Sequence, residues 1–380
     1  MAIQLDKTLP AIVGTRNDTW IKVHLSQGTV LQMQILHQGS LIVTQKMPVD
    51  VAGNVSFNLK RILQSIGTFP DIIQADLPSY SLNIVTPCTK NIKDFSLVLF
   101  EQDAAGVQIS TVTVNSTAIL GGLAPELTFD TSLLSYLSGP PRRFLTNKLQ
   151  TQLCAKDTQL FLYYFNSNLD SQGAVVSLQY RILYDDGTAS ITRIYSIQVI
   201  KLSIIPAGYQ QLNLEPLVPA GKTVKGWEVW IDDSGVVSEV FTFLLDDRCY
   251  PDGRDLIFLN SLGGMDTLRI QQIDEVNLDR QSDVGERYSS ADAIPTDGQY
   301  YETEVLTSRK FKASTSQLLA EERYWLQDFF ASAKIFEASN GRFLPVRIIS
   351  GTTLLKNRAD YLAVSFEYRY RFDDIGYTKQ

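Results

Sequence analysis

The stretch Ser314-Thr315-Ser316-Gln317-Leu318-Leu319-Ala320-Glu321-Glu322-Arg323-Tyr324-Trp325-Leu326-Gln327-Asp328-Phe329-Phe330, with the later run Leu362-Ala363-Val364-Ser365-Phe366-Glu367-Tyr368-Arg369-Tyr370-Arg371-Phe372, decides how this chain is read. In the second run every other residue is apolar or aromatic, which is the period-two signature of a strand with one buried face. In the first, Leu318, Leu319, Trp325, Leu326, Phe329 and Phe330 fall at helical spacing and form an apolar stripe that only Glu322 interrupts. Ser314, Thr315 and Ser316 are good N-cap types, and Glu321 and Glu322 suit the positive end of a helix dipole. Between the two runs, Asn340-Gly341 separates Lys334–Ala338 from Phe343–Ile349 and predicts a hairpin. The expectation is one helix laid across an antiparallel sheet.

Working outward, the N-terminal part reads as short strands at Trp20–Leu25, Val30–Leu36, Leu41–Lys46 and Asn54–Leu59, with a helical turn over Leu59–Ile66. Strands resume at Tyr80–Val85, Phe95–Phe100 and Val107–Val114. Turns at this spacing predict a β-sandwich of immunoglobulin-like size over residues 1–120. Residues 121–150, with Gly121-Gly122, the helix-like Thr131–Leu137 and Gly139-Pro140-Pro141, break the pattern and read as a packed connector.

A second sandwich is predicted over 151–245, from strands at Gln159–Phe165, Ala174–Tyr184, Ser190–Ile200, Tyr209–Leu214, Val224–Ile231 and Val236–Leu245. Asp185-Asp186-Gly187 and Asp232-Asp233-Ser234-Gly235 mark its hairpin turns. Residues 246–380 then form the helix-on-sheet domain. Within it, 274–299 is polar and acidic and is predicted to be an exposed loop or arm, since loops of that length in compact domains are usually functional. The fold class is thus mainly β: two β-sandwich domains followed by an α+β domain.

Bulk properties narrow the function. A chain of 380 residues with 44% hydrophobic and 20% charged residues is an ordinary globular composition. Its net charge of -7 argues against recruitment by nucleic acid or anionic lipid. The stretch Met1–Gly14 lacks the apolar core of a signal peptide, and no apolar run is long enough to span a membrane, so the chain is expected to stay where it is made. Cys88, Cys154 and Cys249 lack metal-ligand spacing and read as buried thiols.

Chemistry-bearing motifs are thin. His24 and His37 have no ligand-spaced partners and read as strand-surface or edge positions. Pro219-Ala220-Gly221-Lys222-Thr223 only imitates the end of a phosphate loop, because Pro216 stands where the first glycine is needed and strands flank it. Asp246, Asp247, Asp252 and Asp255 could offer oxygens to a hard cation, but turn aspartates more often bond locally. Tyr163, Tyr164, Phe165, Trp227 and Trp230 sit in alternating strands, where core packing is favoured over sugar stacking. No nucleophile elbow or cysteine–histidine pairing is present. No enzyme activity and no cofactor are expected.

Tyr250-Pro251-Asp252-Gly253-Arg254-Asp255-Leu256-Ile257-Phe258-Leu259-Asn260-Ser261-Leu262-Gly263-Gly264-Met265-Asp266-Thr267-Leu268 resembles a segment that recurs in tail-associated virion proteins of phages and prophages of Bacteroides-type bacteria. The C-terminal order is similar too: Trp325-Leu326-Gln327-Asp328-Phe329-Phe330, Ala333-Lys334-Ile335-Phe336, an Asn-Gly turn, Leu344-Pro345-Val346, and Phe366-Glu367-Tyr368-Arg369-Tyr370. The likeness runs from Cys249 to Phe372 and is only thematic before it. It implies a structural part of a phage tail or baseplate, located in the virion, assembled in the host cytoplasm and touching copies of itself and neighbouring tail proteins. A ring built through strand edges and the 274–299 arm follows, with Asp279, Arg280, Asp283, Arg287, Tyr288, Tyr300, Tyr301, Tyr368 and Tyr370 as candidate interface residues. The alternative is a receptor- or carbohydrate-binding β-sandwich module of a virion; a glycan-cleaving enzyme would need two carboxylates in one cleft.

Overall fold

The computed structural model describes residues 3–66, 86–166, 175–198, 201–233, 236–246, 248, 252–286, 300–315, 318–339, 342–351 and 361–372. The chain is largely β, with several sheets and a few short helices. Among the described residues no helix is long and apolar enough to cross a membrane. Two compact units are present: residues 1–247 with 259–266, and residues 248–258 with 267–380.

The first unit opens with β1 (Gln4–Lys7), β2 (Ile12–Gly14), β3 (Trp20–His24), β4 (Val30–His37), β5 (Ser40–Pro48), β6 (Asn54–Asn58) and the helix α1 (Lys60–Ile66). There follow β7 (Thr86–Pro87), β8 (Ile92–Gln102), β9 (Gln108–Ile119), α2 (Leu133–Ser138), β10 (Thr151–Cys154), β11 (Phe161–Phe165), β12 (Val175–Tyr184) and β13 (Ala189–Gln198). It closes with β14 (Leu202–Pro206), β15 (Val224–Asp233), β16 (Val236–Val237) and β17 (Phe241–Leu245).

The predicted strands at Trp20–Leu25, Val30–Leu36, Leu41–Lys46 and Asn54–Leu59 correspond to β3 to β6, and those at Phe95–Phe100 and Val107–Val114 lie in β8 and β9, which pair antiparallel. The expected strand Tyr80–Val85 lies outside the described residues. The three-stranded sheet β1-β3-β6 and the five-stranded sheet β2-β9-β8-β4-β5 share one core, in which Ile21, Val23 and Phe57 of the former meet Leu31, Met33, Ile35, Leu97 and Leu99 of the latter. Alternation explains the packing: each strand turns every second side chain inward, and burying such a residue contributes about 1.5–3 kcal/mol.

A separate core follows. Leu162 and Tyr164 of β11 and Ile205 of β14 pack with Leu178, Tyr180 and Ile182 of β12, Trp227 and Val229 of β15, and Phe241 and Phe243 of β17. Trp227 donates its indole N–H to the Ala207 carbonyl at 2.7 Å, so the largest side chain in this core leaves no buried donor unmet. Tyr163, Tyr164, Phe165 and Trp227 are buried, as the core reading of the aromatics expects, whereas Trp230 is only half-buried. Cys88 and Cys154 are buried thiols, while Cys249 lies outside the described residues.

Two expectations fail in this unit. Tyr209–Leu214 is a turn, because Gln211 Oε1 accepts from the backbone N–H groups of Leu160 and Gly208, both at 2.9 Å, and holds the chain in a compact bend. The strands β10 and β14 escaped notice. The run Leu202–Pro206 is buried throughout and so lacks the alternation that betrays a half-exposed strand.

The Asn260-Ser261-Leu262-Gly263-Gly264 segment belongs to the first unit and makes a sharp bend. Asn260 closes the bend with its side chain, accepting from Gly264 N at 3.0 Å and donating to the Leu145 carbonyl at 2.7 Å. Asn91 donates to the Gly263 carbonyl at 2.8 Å, and Gly122 N donates to that of Ser261 at 2.8 Å. The motif that carries the family resemblance is thus a tightly bonded structural element.

The second unit holds β18 (Arg254–Leu259), β19 (Met265–Glu286), β20 (Tyr300–Thr315), β21 (Leu318–Leu319), α3 (Ala320–Phe330), β22 (Ile335–Ser339), β23 (Arg342–Gly351), β24 (Tyr361–Leu362) and β25 (Ser365–Tyr370). Where a sheet under a helix was expected, six of these strands close a barrel in the order β18-β19-β20-β25-β23-β22. The helix does pack as predicted on one point: Trp325, Leu326 and Phe329 enter a core with Phe258, Phe311, Ile335, Val346, Phe366 and Tyr368. Phe258 meets the Trp325 and Phe329 rings at centroid distances of 5.4 and 5.3 Å.

The helix begins later than its sequence suggested. Ser314 and Thr315 end β20, and α3 starts after Leu319, whose N–H donates to Glu322 Oε2 at 2.7 Å. Glu322, which looked like an interruption of the apolar stripe, therefore serves as the cap partner. The closing alternation Val364, Phe366, Tyr368 is buried as predicted, with Leu362 in β24.

Candidate assembly surface

In its described residues the predicted arm is one side of a long β-hairpin. Residues 274–286 are the outer part of β19 and pair antiparallel with β20, from Glu275↔Lys312 to Glu286↔Tyr300. The sequence reading missed this because the alternation fades: once both faces of a ribbon meet solvent, polar residues are tolerated at every position. Pairing of β20 with β25 covers only Lys310–Ser314. Beyond it, β19 is the only described strand paired with β20.

Residues opposite one another in this register point to the same side. One side carries Glu275 with Lys312 at 3.2 Å and Asp279 with Lys310 at 2.8 Å. Asp279 at its hydrogen-bonding distance raises the Lys310 pKa. The other side is the one that Phe311 turns into the barrel core. Outward from Phe311 it presents Val276, Leu278 and Val305, with Arg280 paired to Glu302 and Ser282 donating to Glu302 Oε1 at 3.2 Å. The Arg280 guanidinium holds the Glu302 carboxyl below its ordinary pKa. Past an irregularity between Asp283 and Val284, Val284 and Tyr300 continue the exposed apolar surface.

Exposure makes this the decisive feature. Leu278 is 65%, Val284 60% and Tyr300 62% accessible, on a two-stranded ribbon over which no second layer of its unit lies among the described residues. Exposed ion pairs stabilise such a ribbon little, and isolated two-stranded hairpins are marginal in water. Among the described residues no other strand pairs with the outer edges of the ribbon, and such edges are ready hydrogen-bonding templates.

Of the predicted interface residues, Asp279, Arg280, Asp283, Tyr300 and Tyr301 are on this hairpin. Arg287 and Tyr288 lie outside the described residues. Tyr368 is misassigned: it is 0% exposed, stacked on Phe311 at 5.0 Å inside the barrel. Tyr370 is half-buried and donates to Glu337 Oε1 at 3.1 Å, so it too serves the barrel. Period two reveals which side of a strand is buried only where one face is wet, and in this strand the aromatic face was the inner one. Val276, Leu278, Val284 and Val305 were overlooked, although the first three recur at even positions within the acidic stretch and could have been found by that.

Other candidates are structurally employed. Asp255 is buried against Arg269 at 3.0 Å. Lys222 pairs with Asp186 at 3.0 Å and lies over the Tyr184 ring, bracing a hairpin turn. His24 Nδ1 lies 3.1 Å from Asn54 Oδ1, and His37 donates to the Asp94 carbonyl at 2.7 Å.

No family model and no curated protein matches the chain. Among solved structures, dimeric latent PorU from Porphyromonas gingivalis is similar at 10% identity and a TM-score of 0.19, and at that score the likeness carries no argument. The match covers 90% of this chain and 33% of PorU, so the chain spans about a third of that protein's length.

Proposed function

We propose that the chain is a structural component of a phage tail or baseplate, and that it assembles as a multimeric ring through the β19–β20 hairpin. The reading rests on one observation: an extended ribbon whose Val276, Leu278, Val284 and Tyr300 side chains are exposed, on strands whose outer edges no other described strand pairs. Such a ribbon is stabilised when a neighbouring copy covers its apolar side or pairs with its edge. A heterologous contact of this kind closes into a ring when repeated about an axis. The finer architecture we read for the chain, two sandwiches of immunoglobulin-like size ahead of a helix-bearing β domain, is supported by the two separate cores of the first unit.

Because Arg280 pairs with Thr307, residues 281–306 can be excised and the strands rejoined by Asn-Gly without changing register. The shortened chain is expected to stay folded while its particle mass by light scattering falls to that of a single chain. An unchanged mass would sink the proposal.

A further inference from the structure

The outer face of the five-stranded sheet carries a groove of about 480 Å³. It crosses the sheet from Ala11 before β2, over Asn115 and Thr117 of β9 and Asp94 and Ser96 of β8, to Leu36 and Gln38 at the end of β4, with Lys201 closing one side. Its size falls in the roughly 300–1,000 Å³ range of small-ligand clefts. Register shows why polar groups converge here. Asp94 pairs with Thr117 and Ser96 with Asn115, so these four side chains share one face, while Phe95 between them points into the core.

The groove's only ion pair is internally neutralised among the described residues that line it. Lys201 Nζ stands 2.6 Å from both Asp94 carboxylate oxygens, and Thr117 Oγ1 donates to Asp94 Oδ1 at 2.6 Å. Burial works against the charged form of Asp94, but the Lys201 and Thr117 hydrogen bonds outweigh it and hold the carboxyl below its ordinary pKa. A carboxylate has about four acceptor positions, and these contacts use three of them. Ser96 Oγ donates to Asn115 Oδ1 at 2.7 Å, so the exposed Asn115 side chain brings its amide N–H groups to the groove as donors. Along the same face, Gln34, Thr44 and Thr113 continue the neutral polar surface.

We propose that this groove binds a neutral, hydroxyl-rich ligand of the sugar class. A vicinal diol suits it: one hydroxyl donates to the open acceptor position of Asp94 while its neighbour accepts from the Asn115 amide. The neutralised Asp94–Lys201 pair gives no net attraction to an ionic ligand, and the amide and hydroxyl lining offers both donors and acceptors. Among the described residues that line it the groove has no exposed aromatic ring, and hydrogen bonds carry the proposed recognition. This inference goes beyond the assembly reading and does not rest on it, because the groove and the hairpin belong to different units.

Saturation-transfer difference NMR on the full chain tests it, with glucose, galactose, mannose, N-acetylglucosamine and cellobiose as neutral probes and glucosamine and sialic acid as charged ones. At least one neutral sugar is expected to give transfer, with affinity falling about tenfold or more in Asn115→Ala and in Asp94→Asn, since each loses a site hydrogen bond. Stronger transfer to cellobiose than to glucose identifies a glycan chain as the source, and equal transfer a free sugar; either supports the proposal. Thermal unfolding of Asn115→Ala, an exposed position, checks that the fold is intact. The chain lacking residues 281–306 is expected to bind as wild type does, so the groove and the assembly surface can fail separately. No transfer to any neutral sugar, preference for the charged probes, or undiminished binding by the folded Asn115→Ala variant would overturn it.

Discussion

Tyr368 donates its hydroxyl to Glu337 Oε2 at 2.9 Å inside the barrel, and Arg254 and Tyr370 reach the other oxygen of the same carboxylate at 3.0 and 3.1 Å. Glu337 is 3% exposed, so these three partners stand in for the water its side chain has lost. Burial and the nearby carboxylate both push the Tyr368 pKa upward, which keeps the hydroxyl protonated as a donor. Tyr368→Phe removes one hydrogen bond to a buried charge and is expected to cost about 1.5–3 kcal/mol in urea unfolding. Particle mass should not change, because Tyr368 is no part of a surface; a variant of native stability that assembles differently would contradict this placement.

The same residue shows where reading the sequence stops. Alternation from Val364 to Tyr370 identified the strand and its aromatic face, and the helical spacing of Trp325, Leu326 and Phe329 found the side that packs. Neither pattern could reveal that the sheet closes, because closure depends on which strands become neighbours. Pairing of β18 with β22 joins residues such as Asp255 and Ala338, far apart in the chain. Nor does a period distinguish a face turned toward a core from one turned toward a partner, so Tyr368 and Tyr300 looked alike. The groove was hidden for a related reason: Asp94, Asn115 and Lys201 are ordinary polar residues until strand register and the entry to β14 bring them together.

Glu101 provides a pH-dependent test of the first core. Its Oε1 accepts from Gln27 N at 2.9 Å and Gly28 N at 2.7 Å, and its Oε2 from Ser110 Oγ at 2.6 Å. Burial alone would raise its pKa, but these hydrogen bonds outweigh burial and lower it. A carboxyl with a depressed folded pKa contributes stability that is complete above its unfolded pKa and is lost as pH falls through the folded value. Glu101→Gln is therefore expected to cost about 1.5–3 kcal/mol at neutral pH. The gap between variant and wild-type urea midpoints should close on acidification; a gap that widens would refute the assignment. Gly28→Ala should destabilise the same site, since a Cβ there would stand 2.4 Å from Glu101 Cγ.

The apolar side of the hairpin makes a prediction that needs no deletion. Leu278 and Val284 are exposed, so Leu278→Ser with Val284→Ser should leave unfolding within about 0.5 kcal/mol of wild type. If a neighbouring copy covers these side chains, sedimentation should show weaker self-association in the double variant. Loss of stability with unchanged association would mean that the two residues serve their own chain.

Gly263 bears the tightest backbone approach in the resemblance-carrying segment. Its φ is +96°, and a Cβ built on it would stand 1.9 Å from the Leu120 carbonyl oxygen. The obstacle is backbone, and that backbone is itself fixed: Leu120 N donates to the Asn91 carbonyl at 2.8 Å while Asn91 donates back to the Gly263 carbonyl at 2.8 Å. Gly263→Ala therefore combines dihedral strain with overpacking and is expected to cost on the order of 3 kcal/mol. Ser261→Ala, two residues earlier in the bend, keeps the backbone carbonyl that Gly122 uses and adds no atom to the bend, so its effect should be clearly the smaller of the two. Chemical denaturation of the two variants side by side separates the explanations. Equal, small effects would show that the bend yields, and that its glycines do not govern how residues 259–266 join the first unit.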